Sequence, residues 1–138
     1  MKEHITFDPV EGVSVAVVPD ENAATDIGKA GWQVYLLNHN AYPLSNVIVS
    51  SNGYGTKENG EVVRTSTLRH VFVEVEPHSA VAIEPIDPEV FHLNNQYWVS
   101  YYRGSQIFDK KFIFVPDSII EANLISITLL GRPGVLHS

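Results

Sequence analysis

Apolar residues fall on every second position through most of this chain, and nothing else in it constrains the fold as strongly. The runs are GVSVAVV (12–18), WQVYLLN (32–38), NVIVSS (46–51), RHVFVEV (69–75), SAVAIE (79–84), YWVSYYR (97–103), IFDKKFIFV (107–115) and LISITL (124–129). Successive side chains of a strand point to opposite faces, so a period of two marks a half-buried strand and not a helix. The runs are rich in Val, Ile, Tyr, Phe and Trp, which suit a pleated surface, and Gly, Pro, Asn and Asp bound them. No segment sustains a helical period. Two short helical turns are expected, at 87–90 (DPEV) and 118–121 (SIIE). In the first, Asp87 caps the turn and Pro88 sits where an N–H would have no partner; in the second, Ser118 and Glu121 have capping-box spacing.

Eight short strands in 138 residues predict one domain, 1–138, built as an immunoglobulin-like antiparallel β-sandwich of about 7–8 strands. A partly open β-barrel is the alternative. Alternation assigns the core to Trp32, Val34 and Leu36, to Val47 and Val49, to Val71, Val73 and Val75, and to Val81 and Ile83. On the last long hairpin it assigns Tyr97, Val99 and Tyr101, then Phe108, Phe112 and Phe114 on a face shared with Lys110. Turns are expected at Asn52-Gly53, at Asn59-Gly60 and across 103–106, where Gly104 can take a positive φ. Tyr97, just after DPEVFHLNN, stands where such sandwiches place a corner tyrosine.

Sixteen Asp and Glu face nine Lys and Arg, a net charge of −7. Such a surface repels a phosphate backbone, and the only adjacent basic pair is Lys110-Lys111, so nucleic acid is not an expected partner. No stretch approaches the roughly 18–20 continuous apolar residues of a membrane span, and MKEHITFDPVEG lacks the apolar core of a signal peptide. The chain has no cysteine, which excludes a disulfide framework or thiolate metal site and fits a reducing cytoplasm.

The stretch SSNGYGTKENGEVVRTSTLRH (50–70) concentrates Ser, Thr, Gly, Arg and His. It reads first as a solvated connection between the two sheets, with VVRTST as a short edge strand. A phosphate-binding reading of GYGTKENG fails for want of a following helix and a Gly-Lys-Ser/Thr ending. Ser66 and His70, with an acid such as Asp109, supply the residue types of a hydrolase triad, yet no nucleophile elbow is present. The histidines are His4, His39, His70, His78, His92 and His137, none at the spacing that sets two imidazoles on one strand face, so no metal or cofactor is expected. Glu74, Glu76 and Glu84 alternate with valines or end strands, as solvated carboxylates do.

The sharper signal is aromatic. In YWVSYY, Tyr97 and Tyr101 share one face while Trp98 and Tyr102 share the other, so large rings occupy both sides of one strand. A wet outer face normally carries polar residues. The outer rings therefore need a cover, either the C-terminal segment LISITLLGRPGVLH folding back or a second molecule. Arg69, His70 and Arg103 are candidates for the rim of such a surface, with Tyr54 beside it.

The ordered set VYLLN, NVIVSSNGYG, TSTLRH, EPI, NNQYWVSYY, FDKKFIFVPDSI and GVL runs nearly end to end. In it the chain resembles a family of short bacterial proteins, associated with the Bacteroidetes, whose members often carry the name phenylalanyl-tRNA synthetase alpha subunit. The resemblance implies a bacterial cytoplasmic setting. The name implies ATP-dependent amino-acid activation, which requires a far longer mixed α/β domain with an ATP-binding arginine motif; neither is in this sequence, and no catalytic residue is carried over. The residues therefore lead us to expect a non-enzymatic interaction or accessory module, contacting a protein partner or itself as a homodimer. The alternatives are a small-ligand or carbohydrate-binding module using the same aromatics, and more remotely an enzyme, either a hydrolase or the named ligase.

Overall fold

The computed structural model describes residues 9–20 and 31–138. Its strands are β1 (Val13–Pro19), β2 (Trp32–Asn38), β3 (Leu44–Thr56), β4 (Val62–Arg64), β5 (Leu68–Val75), β6 (Ser79–Ile86), β7 (Asn94–Arg103), β8 (Gln106–Phe114), β9 (Ile125–Ile127) and β10 (Arg132–His137). They form two sheets, β6-β2-β1-β10-β9 and β4-β3-β7-β8, with β5 also paired to β3. Every pairing is antiparallel. The sheets pack face to face and neither closes on itself, so the fold is an all-β sandwich and not a barrel. The neighbours β1-β2-β6 and β3-β7-β8 correspond to strands A-B-E and C-F-G of an immunoglobulin-like frame. To that frame the chain adds β4 and β5 along β3, and the β9–β10 hairpin beside β1.

The core is the inward phase of the alternation. Val15, Val17, Val34, Leu36, Val47, Val49, Val99 and Phe112 meet between the sheets. Tyr101 stacks on Phe108 with centroids 5.2 Å apart, and Trp32 meets Phe91 edge-on at 5.3 Å. Where the chain crosses from β2 to β3, the fully buried Asn38 ties the corner. Its Nδ2 donates to the carbonyls of Tyr42 at 2.9 Å and Glu76 at 3.1 Å, and its Oδ1 accepts from the Asn40 amide at 3.0 Å. The β7–β8 hairpin turns through Gly104 at φ +62°, as its sequence requires. Asp87 caps the 3₁₀ turn Pro88–Val90 through the Glu89 amide at 2.9 Å.

Several expectations are corrected. Asn52-Gly53 is no turn: both residues lie inside β3, paired with Gln96 and Asn95. Residues 50–70 do not link the sheets. They finish β3, turn through Lys57–Gly60, form β4 and begin β5, all within the second sheet. The helical turn expected at 118–121 forms instead at Glu121–Asn123, without a side-chain cap, because the Ser118 hydroxyl donates back to the Val115 carbonyl at 2.7 Å. LISITL is not one strand. Only Ile125–Ile127 is extended, and a tight turn feeds β10, whose period-two signal is hidden by Pro133 and Gly134. Gly134 is required there: a Cβ would lie 2.8 Å from both Ile127 Cδ1 and Val18 Cγ2.

The two outer faces differ. On the first sheet Ala16, Val18 and Leu37 are fully buried beneath Leu129, Leu130 and Leu136, so the C-terminal hairpin covers that face with its own chain. It does not fold over Trp98 and Tyr102. The second sheet keeps its outer face bare.

Candidate functional site

The phase of each strand decides which residues share that bare face. Cross-strand partners share a face, so the register sets Arg69, Ser50, Trp98 and Lys111 in one row across β5, β3, β7 and β8. The next row is Val71, Ile48, Ser100 and Asp109, and beyond it lie Glu74, Ser45, Tyr102 and Ile107. Val71 is 68% and Val73 82% exposed; Trp98, Tyr102, Ile48 and Ile107 are each about two-fifths exposed. Lys111 Nζ stands 4.6 Å over the Trp98 ring, an exposed cation–π contact worth about 0.5–1 kcal/mol.

The sequence placed Val71 and Val73 in the core; the structure turns them out and points His70 and Phe72 inward. The cause is two local faults. Between the pairs Tyr54–Arg64 and Ser51–Leu68, three residues (65–67) oppose two (52–53). This bulge flips the phase of everything after it. Thr65 seals the bulge, its amide donating to the Gly53 carbonyl and its Oγ1 accepting from the Gly53 amide at 2.7 Å. At the far end Asn46, at φ +48°, resets the phase again, so Leu44 and Val75 are both fully buried.

The six candidates from sequence thus divide. Trp98, Tyr102 and Arg69 stand on the bare face. Tyr54 shares it, but four residues along β3 from Ser50, about 13 Å from the Trp98 row. Arg103 lies at the sandwich edge with its guanidinium 3.6 Å over the Tyr42 ring. His70 faces the interior.

His70 belongs to a polar cluster that the sequence did not announce. Glu84, read as a solvated carboxylate, has an 11% exposed side chain. It accepts from Ser51 Oγ at 2.6 Å and His70 Nε2 at 2.7 Å, both on Oε1, and from the Tyr97 hydroxyl at 3.3 Å on Oε2. Tyr97 thus ties a side chain of the opposite sheet and not the backbone, as a corner tyrosine would. Burial first, then the adjacent Glu84 charge, holds the Tyr97 hydroxyl well above the ordinary phenol range. The cluster joins β6 of one sheet to β3, β5 and β7 of the other. It is not a catalytic triad, because the carboxylate sits between serine and histidine instead of the histidine sitting between the other two. No hydrogen bond joins Ser66 to His70, and Asp109 is on the opposite face of the sheet.

Beside this cluster the bulge opens a cleft of about 300 Å³ between β3 and β6, reached from the 65–68 segment. Among the described residues no three His, Asp or Glu side chains converge as a metal ion requires, and no helix is long and apolar enough to cross a membrane. His4 lies outside the described residues. No family model, curated protein or solved structure matches this chain.

Proposed function

We propose that the protein works by contact and not by chemistry, as a homodimeric interaction module that pairs through the bare face of its second sheet. The observation that carries this reading is the arrangement of charge around the exposed rings. Arg64, Arg69 and Lys111 lie toward one end of the strands, Asp109 and Glu74 toward the other, with Val71, Ile48, Trp98, Tyr102 and Ile107 among them. A two-fold axis lying across the strands sets the basic end of one copy over the acidic end of its partner. Such a surface complements itself, as a closed dimer interface must, and aromatic and Arg side chains are the usual anchors. The other face of the sandwich is covered by its own chain, which leaves this one for a partner.

A carbohydrate platform draws less support. Trp98 and Tyr102 stand four positions apart on one strand, about 13 Å, and so do not form one coplanar pair. The setting implied by the family resemblance, a bacterial cytoplasm, is part of this proposal.

Light scattering after size-exclusion chromatography tests the reading. The expected native mass is twice 15.3 kDa, falling to a folded monomer in Trp98→Ala/Tyr102→Ala and in Arg69→Glu. Combining Arg69→Glu with Glu74→Arg is expected to restore the dimer. A native monomer, or a dimer indifferent to all of these changes, would sink the proposal.

A further inference from the structure

A sheet edge presents unpaired N–H and C=O groups to any strand that comes alongside, and the outer strands of this sandwich meet that hazard in different ways. β4 and β9 are three residues each. β6 carries Pro85 and a register shift against β2. β5 is tied to β6 through His70 Nε2, 2.7 Å from Glu84. β8 has none of these devices. It runs nine residues, Gln106–Phe114, without proline, glycine or a register shift against β7. Among the described residues no strand pairs with its other side.

The order of residues in β8 suits it to pair with a second copy of itself. Two copies joined edge to edge with like faces aligned are related by a two-fold axis through the sheet, so one residue of β8 lies opposite its own copy. With Lys110 there, Asp109 stands opposite the partner's Lys111 and Ile107 opposite the partner's Ile113 on the outer face, while Phe108 meets the partner's Phe112 on the inner face. Moving the axis to 109 or 111 sets Asp109 or Lys111 against its own copy and puts Lys110 opposite a phenylalanine.

Only Lys110 spoils the favourable register. It sits half-buried in the inward phase of β8, between Phe108 and Phe112 and opposite Val99, which is 1% exposed. Its Nζ lies 5.0 Å from the centre of the Phe112 ring, and among the described residues no carboxylate pairs with it. Pairing along β8 would bring two ammonium groups face to face and take both from water. Like charges directly opposite destabilise a strand pair, and a charge buried without a partner is costly. An inward charge on an edge strand is one of the ways proteins keep that edge from pairing.

We propose that Lys110 keeps the β8 edge open by preventing a second copy of the chain from pairing along it. Association is then left to the sheet face, and the inference does not depend on the face dimer.

Light scattering on the full chain carrying Trp98→Ala/Tyr102→Ala as parent tests the proposal apart from that face. Adding Lys110→Val should double the parent's mass, because one edge from each copy closes a two-fold pair. Lys110→Thr should do the same, and Lys110→Arg, which keeps the charge, should not. Lys111→Val removes an equal charge from the outer face and should leave the mass unchanged. Asp109→Lys added to Lys110→Val sets lysine against lysine and should return the parent's mass; Lys111→Asp added to both should restore the doubling. An unchanged mass in Lys110→Val and Lys110→Thr, a doubling in Lys110→Arg or Lys111→Val, an open-ended aggregate, or a dimer indifferent to Asp109→Lys would each overturn it. Loss of the fold in both Lys110→Val and Lys110→Thr, read by circular dichroism, would overturn it as well, since a guard between copies is dispensable to the single chain. Failure of the face dimer shows in the parent's mass against the native chain, and failure of this proposal in the ratio to the parent.

Discussion

Glu84 shows how much one residue can decide. A carboxylate in the seam between two sheets is costly unless its lone pairs are met, and Ser51, His70 and Tyr97 meet three of them. Removing the acid strands three donors at once, so Glu84→Ala should be far more damaging than any single partner change. The tyrosines carry a pH signature of their own. Burial, reinforced by Tyr42 and opposed by Arg103, pushes the Tyr101 hydroxyl up to about 12. An unfolded tyrosine titrates near 10, so between those values the unfolded chain has released a proton that the native state retains. Stability is therefore complete below pH of about 10 and falls as pH rises from there toward 12. Tyr97, held higher still, extends the loss. We expect urea midpoints that are flat up to about pH 9.5 and then decline, with part of the decline removed in Tyr101→Phe; an unchanged slope in that variant would refute the assignment.

At the scale of the element, β5 is the instructive strand. Its segment RHVFVEV is apolar in one phase at 71, 73 and 75 and in the other only at Phe72, so counting favours the valines. The bulge before it and the positive φ of Asn46 in its neighbour reverse that choice over most of its length. The two phases make opposite predictions. Val73→Thr, on a side chain 82% exposed, should change stability by less than about 0.5 kcal/mol. Phe72→Ala, which removes packing against the core, should cost about 2 kcal/mol or more. Equilibrium urea unfolding of both variants decides the matter, and a costly Val73 with a neutral Phe72 would mean that the strand lies in the other register.

Across the whole molecule, stability is unevenly spread. β1 is buried at six consecutive positions, Val13 to Val18, because the core covers one face and the C-terminal hairpin the other. β4 is three residues on a sheet edge with no fully buried side chain. Native-state hydrogen exchange should therefore find the amides of β1 opening only with global unfolding, and those of β4 opening locally at much lower free energy. Equal protection in the two strands would contradict the layering. The same unevenness leaves one broad sheet face bare while the other serves as a second small core.

Much of this was legible in the order of residues. Most strand positions, the sandwich class, the Asp87 cap, the Gly104 turn and the outward pair Trp98 and Tyr102 follow from local rules: side chains alternate along a strand, and turn residues have backbone preferences that act within a few positions. What the sequence did not announce depends on residues far apart in the chain. The single extra residue at 65–67 reverses most of a strand, yet it exists only relative to β3. Glu84 looks solvated until β6 is laid against β3, β5 and β7, and the cleft is a gap between strands that neither one contains. The C-terminal hairpin covers β1 and not β7 because pairing it there buries Ala16, Val18 and Leu37. The alternation was local and could be read directly; register, and which face each partner covers, were decided by the burial that the assembled sheets made possible.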